Sequence, residues 1–87
     1  MRYQVTKVRL STNGTRHEHI TDLWAGQSFT RADVVNRIEK GTDSFFVTDT
    51  ISPSRTVDVH VVHASPKYVQ TKRDGVLTDN LLQLPRF

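Results

Sequence analysis

Two histidines one residue apart, His17 and His19, are the residues of this 87-residue chain whose type and spacing best suit chemistry. On a strand, positions i and i+2 project to the same face. Both imidazoles could then face one metal ion, and zinc would need two further ligands from His60, His63, Asp22 or Asp79. Nothing nearby in sequence supplies them, and no His-Glu-x-x-His helix is present. No metal ligand and no cofactor are therefore assigned. Because histidine titrates near neutral pH, a proton-transfer or ligand role is the other chemistry open to the pair. The expectation is a structural one: the two rings close the end of a core and hydrogen-bond to nearby carboxylates or backbone.

Asp79 and Asn80 are the second candidate pair, directly before Leu81, Leu82 and Leu84. Thr78 or Asp79 can cap a short turn there while the leucines seal a sheet edge. Alternatively, Asp79 and Asn80 form a polar recognition pair beside His17 and His19. These four residues are the candidate ligand- or partner-contacting set. His60 and His63, three apart on a strand, fall on opposite faces and do not converge. No Gly-x-Gly-x-x-Gly, P-loop or nucleophile elbow occurs, and no catalytic residue is assigned.

Formal net charge is +3, unevenly spread. Arg2, Lys7, Arg9 and Arg16 stand in the first sixteen residues with no acidic residue among them. The middle of the chain is acidic, and residues 64–87 are again basic. Were the terminal strands adjacent, Arg2, Lys7, Lys67 and Lys72 would form a basic face able to hold nucleic acid, with Trp24, Tyr68 or Phe87 stacking on bases. A charge of +3 is far from the dense basic stripe of a typical nucleic-acid binder, so this is the alternative reading.

The elements that must position these residues follow from punctuation. Asn13-Gly14 and Asp74-Gly75 are strong two-residue hairpin signals. The first joins Tyr3–Leu10 to Arg16–Trp24. A two-residue loop there pairs Leu10 with His17, Arg9 with Glu18 and Val8 with His19, placing Val8, Leu10, His17 and His19 on one face. Tyr3 and Val5 have the opposite parity, which predicts a bulge near Thr6-Lys7. One helix is predicted over Arg31–Lys40. Thr30 with Asp33 has capping-box spacing, Phe29 can staple onto Val34, and Gly41 suits a left-handed cap. Strands follow at Ser44–Thr48, Arg55–His63 and Tyr68–Arg73, the last joined through Asp74-Gly75 to the short segment Val76–Thr78, with a turn at Ile51-Ser52-Pro53-Ser54. The predicted fold is α+β: one helix on a twisted antiparallel sheet, in the order β-β-α-β-β-β with a short C-terminal turn.

Length makes residues 1–87 a single domain. Apolar residues and glycine are 33 of the 87, below the usual ~45–50%. So thin a core makes a dimer or a protein partner a natural means of burying more surface. The absence of cysteine excludes disulfides and Cys-based metal motifs and fits a reducing cytoplasm. The run Met1–Val5 is too polar for a signal peptide, and no apolar stretch reaches the ~20 residues of a membrane span.

Several runs, in order, resemble a known family. They are His17-Glu18-His19-Ile20-Thr21; Ala32-Asp33-Val34-Val35 with Ile38-Glu39-Lys40-Gly41; Phe45-Phe46-Val47; Val57-Asp58-Val59; Lys67-Tyr68-Val69 with Thr71; Asp74-Gly75; and Asp79-Asn80-Leu81-Leu82-Gln83-Leu84-Pro85. Together they resemble the bacterial family catalogued as domain of unknown function 3892, over nearly the whole chain. The His-Glu-His-Ile-Thr and Asp-Asn-Leu-Leu-x-Leu-Pro runs are its specific parts. The resemblance implies a small bacterial protein of uncharacterised role and carries over no catalytic residue. The resulting expectation is a non-enzymatic binding module that contacts a protein partner or itself. Nucleic-acid binding through the basic terminal strands is one alternative, and a metal- or ligand-dependent activity at His17/His19 is the other.

Overall fold

The computed structural model describes residues 1–49, 54–73 and 75–87. The order is β1 (Arg2–Gln4), β2 (Lys7–Leu10), a 3-10 turn (His17–His19), β3 (Ile20–Trp24), β4 (Ser28–Thr30), α1 (Arg31–Lys40), β5 (Ser44–Thr48), β6 (Thr56–Val62), β7 (Tyr68–Arg73) and β8 (Val76–Thr78). The class is α+β, with one helix among the described residues. The strands form two sheets rather than one. A five-stranded sheet runs β1-β5-β6-β7-β8, and a three-stranded sheet runs β2-β3-β4. All neighbours are antiparallel except β1 and β5, which are parallel. No described helix is long and apolar enough to cross a membrane.

The helix forms where its local signals stand. Thr30 Oγ1 accepts the Asp33 N–H at 3.1 Å, satisfying one of the donors a helix start leaves free. At the other end Gly41 takes φ 71° and donates to the Arg37 and Ile38 carbonyls. That left-handed conformation costs glycine little and a side chain much. Arg37 closes the outer surface by bonding Asp33 one turn back and Asp43 just beyond the helix. These two bonds raise the Arg37 pKa, and Arg37 in turn lowers that of Asp43. Val34 and Val35 are buried and pack α1 across both sheets.

The parity conflict between Tyr3/Val5 and Val8/Leu10 is resolved by a change of sheet, not by the predicted bulge at Thr6-Lys7. The Val5 N–H donates to Phe46 O on β5 at 2.8 Å, and the next N–H, of Thr6, donates to Trp24 O on β3 at 2.9 Å. The chain therefore leaves one sheet and enters the other within a single residue. Tyr3 and Val8 each face the shared core from a different side. Tyr3, Phe29 and Phe45 meet there with ring centroids 5.1–5.3 Å apart, tying β1, β4 and β5 together. Such edge-to-face and offset contacts add to what burial alone contributes.

The first hairpin also differs from expectation. Its turn is Ser11–Gly14, closed by the Gly14 N–H on Ser11 O at 2.7 Å, with Asn13 at φ 63°. Asn13 thus takes the left-handed position that asparagine tolerates, one residue earlier than a turn centred on Asn13-Gly14. The strands then pair Val8 with Leu23, Arg9 with Asp22 and Leu10 with Ile20, and the register shift falls between Arg9 and Leu10. His17-Glu18-His19 lies outside the ladder. The predicted pairs Leu10–His17, Arg9–Glu18 and Val8–His19 do not form. Gly14 makes the tight loop possible: a Cβ there would sit 2.6 Å from His19 Cβ and 2.9 Å from Ser11 O.

The second hairpin forms in the expected register, Arg73 opposite Val76, with Gly75 at φ 81°. Asp74 lies outside the described residues, as does the Ile51-Ser52-Pro53 part of the expected middle turn. After β8 the chain makes a short turn in which Gln83 N–H bonds Asp79 O and Leu84 N–H bonds Leu81 O, with Leu81 fully buried. It then runs parallel to β2: Val8 N–H donates to Pro85 O and Phe87 N–H to Val8 O.

Candidate functional site

His17 and His19 occupy successive corners of a single 3-10 turn rather than one face of a strand. Such a turn has about three residues, so positions i and i+2 diverge. His19 folds back on its own loop, and its Nδ1 accepts the N–H groups of Thr15 at 3.0 Å and Arg16 at 3.1 Å. An acceptor Nδ1 requires the neutral ring with its proton on Nε2. His19 is therefore a turn-locking residue whose other nitrogen carries hydrogen rather than a lone pair for metal.

His17 turns inward. It is 7% exposed, and its Nε2 has no hydrogen-bond partner among the described residues. Asp79 Oδ1 stands 4.0 Å from that nitrogen. Burial pushes the His17 pKa down, and the charges of Asp79 and Glu18 pull against that shift. The result is a base biased toward its neutral form. Nothing else named as a zinc ligand joins it: His60 lies on the large sheet opposite Gln70, and Asp22 lies on β3 opposite Arg9. No cluster of three or more potential metal ligands occurs among the described residues.

Asp79 and Asn80 part company. The Asp79 side chain is 73% exposed, whereas Asn80 is buried. Asn80 Oδ1 ends a chain of hydroxyls: Thr71 Oγ1 contacts Thr78 Oγ1 at 2.6 Å, and Thr78 Oγ1 donates to Asn80 Oδ1. Thr71 is fully buried, so this chain satisfies its hydroxyl inside the core. Asn80 fastens the final turn to β7 and β8, and Asp79 reaches back to His17.

The basic candidates divide between three places. Arg2 and Lys72 share the open face of the large sheet. Arg2 bonds Asp58 at 3.1 Å and lies over the Phe46 ring, and Lys72 is the cross-strand neighbour of the same Asp58. Lys67 pairs with Glu39 on the helix at 2.8 Å, which lowers the Glu39 pKa. Lys7 stands on the small sheet opposite Trp24. Lys7 stands on the other sheet and Lys67 is paired beside the helix, so the four do not make one surface.

Lys7, Trp24 and Phe87, named from the sequence as nucleic-acid candidates, meet on the small sheet, and Arg9 joins them there. The Pro85–Phe87 segment beside β2 brings Phe87 against Trp24, ring centroids 5.7 Å apart at 62°. The Arg9 guanidinium lies 4.5 Å from the Phe87 ring centroid and donates to Phe87 O at 3.1 Å. Alternation around the buried Val8 would have placed Lys7 and Arg9 together on the outer face. No local signal announces Phe87, which is far away in sequence.

The large sheet leaves two features unpartnered. Its face away from α1 carries Phe46, Asp58, His60, Gln70, Lys72 and Leu77. Its β8 edge exposes Val76 (65%) and Leu77 (46%).

Residues 4–85 match the model of a family described as protein of unknown function (DUF3892), and the chain belongs to that family. No curated protein and no solved structure matches it.

Proposed function

We propose that this family member is a small non-enzymatic binding module that associates with a second copy of itself through β8. One observation carries the reading. β8 is an edge strand, and Val76-Leu77-Thr78 holds neither charge nor proline while exposing two large apolar side chains. Natural edge strands are kept very short or guarded by lysine, proline or a bulge, because an open edge is a template for pairing; β8 is short but its three residues carry neither lysine nor proline. Antiparallel pairing of two β8 strands about a twofold axis would join two five-stranded sheets edge to edge. Lys72 and Leu77, paired across β7 and β8, would then border the new seam.

Three residues of edge bury well under the ~800 Å² per partner of a standard interface, so the dimer is weak and concentration-dependent. Sedimentation velocity from about 10 μM to 1 mM should show a monomer–dimer equilibrium, and Leu77→Lys should abolish it by putting a charge on the edge. A protein that stays monomeric over that range, or a dimer indifferent to Leu77→Lys, would overturn the reading. Bacterial origin and a cytoplasmic setting belong to the same proposal. A metal-dependent activity at His17/His19 has less support, since His19 Nδ1 already serves the turn.

A further inference from the structure

We propose that the outer face of the small sheet, where Lys7, Arg9, Trp24 and Phe87 meet, binds single-stranded nucleic acid. The site stands apart from the β8 edge, so failure of one proposal leaves the other untouched.

Charge and aromatic rings together single this corner out. Arg2 is paired with Asp58, Arg16 with Glu18, Arg37 with Asp33 and Asp43, and Lys67 with Glu39. Lys7 and Arg9 make no ion pair with an Asp or Glu side chain among the described residues, and neither do Lys40 and Lys72; what sets Lys7 and Arg9 apart is the pair of rings beside them. Asp22 lies across from Arg9 in the ladder yet makes no ion pair with it, because Arg9 turns to the Phe87 ring and carbonyl. Two cations without an Asp or Glu ion-pair partner thus stand on one strand face, one residue apart, with Arg9 held to the Phe87 oxygen. Trp24 is their neighbour across the ladder and is 36% exposed, high for so large an apolar residue.

The rings supply the second half of the match. Trp24 and Phe87 meet at a steep angle, so they form a corner rather than a closed stack. Phe87 is held there by backbone bonds to Val8 on both sides of the Arg86 bridge, and Arg86 Nη1 bonds Leu82 O at 2.9 Å. Bases stack on such rings whatever their identity, while adjacent cations take the phosphates. A duplex hides its base faces, so the rings favour a single strand. An acidic peptide would meet the cations but leave the rings idle.

Trp24 is the chain's single tryptophan, so its emission reports directly on the corner. Titration with a twelve-nucleotide oligothymidylate at about 50 mM salt should quench it saturably. Contact with two phosphates gives a log–log salt slope near −1.4, hence about sevenfold weaker binding at about 200 mM. Lys7→Ala should halve that slope and cut the salt effect to about 2.6-fold. Phe87→Leu should weaken binding by about tenfold through lost stacking. Circular dichroism melts of both variants check that they remain folded. The proposal is overturned by the absence of quenching up to about 1 mM oligonucleotide. It is equally overturned by equal affinity for the duplex of the same length, by equal affinity for a twelve-residue polyglutamate, or by folded Lys7→Ala and Phe87→Leu proteins that bind like the parent.

Discussion

Asn80→Ala tests whether the final turn at residues 79–85 serves folding or recognition. Asn80 Oδ1 terminates the hydroxyl chain from the fully buried Thr71 through Thr78. Alanine removes the acceptor and leaves Thr78 Oγ1 to find another partner in a nearly dry environment. A neutral hydrogen bond contributes about 0.5–1.5 kcal/mol net, and a buried donor left unpaired costs about 1–3 kcal/mol. Thr71 Oγ1 can fall back on Thr78 O at 3.3 Å, which softens the loss. The expected destabilisation is therefore about 2 kcal/mol, or a fall in Tm of about 8–16 °C for a chain of this size. Urea denaturation of the parent, Asn80→Ala, Thr78→Val and the double variant forms a cycle. Its coupling energy should be about 1 kcal/mol, because Thr78 and Asn80 spend one bond on each other. An Asn80→Ala cost below about 0.5 kcal/mol, typical of a surface site, would refute the reasoning. If oligothymidylate binding or dimerisation were lost at the same time, Asn80 would belong to a recognition surface.

Three further outcomes follow from the same geometry. Thr30→Ala should cost about 1 kcal/mol in urea denaturation, since it strips the cap from the Asp33 N–H, and Thr30→Ser should recover most of it. Burial depresses the His17 pKa, so the unfolded chain binds its proton more readily. Stability should then be constant above the free-histidine value of ~6.5, fall as pH drops below it, and level off beneath the folded value; the parent minus His17→Phe difference isolates this, and Asp79→Asn should steepen the loss by removing a charge that favours the imidazolium. Zinc should leave the melting temperature unchanged at pH 7.5, and a rise abolished by both His17→Ala and His19→Ala would restore the metal reading.

The parts legible in the sequence are those whose cause is local. Thr30, Asp33 and Gly41 lie within a turn of the helix ends they fix, and α1 spans Arg31–Lys40 as their spacing predicts. The alternating valines of β6 and the glycine turn before β8 likewise carry their own geometry. The division into two sheets was not legible, because it depends on where two consecutive N–H groups find acceptors. Val5 finds Phe46 and Thr6 finds Trp24, and neither choice is written near residue 5. β4 is three residues long and reads as part of the link before the helix. The His17–His19 run misled because alternation resembles a strand, while the bonds from Thr15 and Arg16 to His19 Nδ1 that bend it into a turn leave no periodic trace.

The 3-10 turn at His17–His19 and the final turn at residues 79–85 meet in space, and that meeting separates their residues by purpose. His19 locks its loop, Ile20 and Leu81 fill the core, and Asn80 anchors the last turn. Each has a structural cause sufficient to explain its type. The exposed carboxylate of Asp79, 4.0 Å from a buried imidazole nitrogen, is the point where the turns touch. Holding these two turns against the large sheet accounts for these residues without a ligand. Recognition is then to be sought where structure places side chains it does not need for packing: Val76 and Leu77 on a bare edge, and Lys7 and Trp24 on the outside of the small sheet.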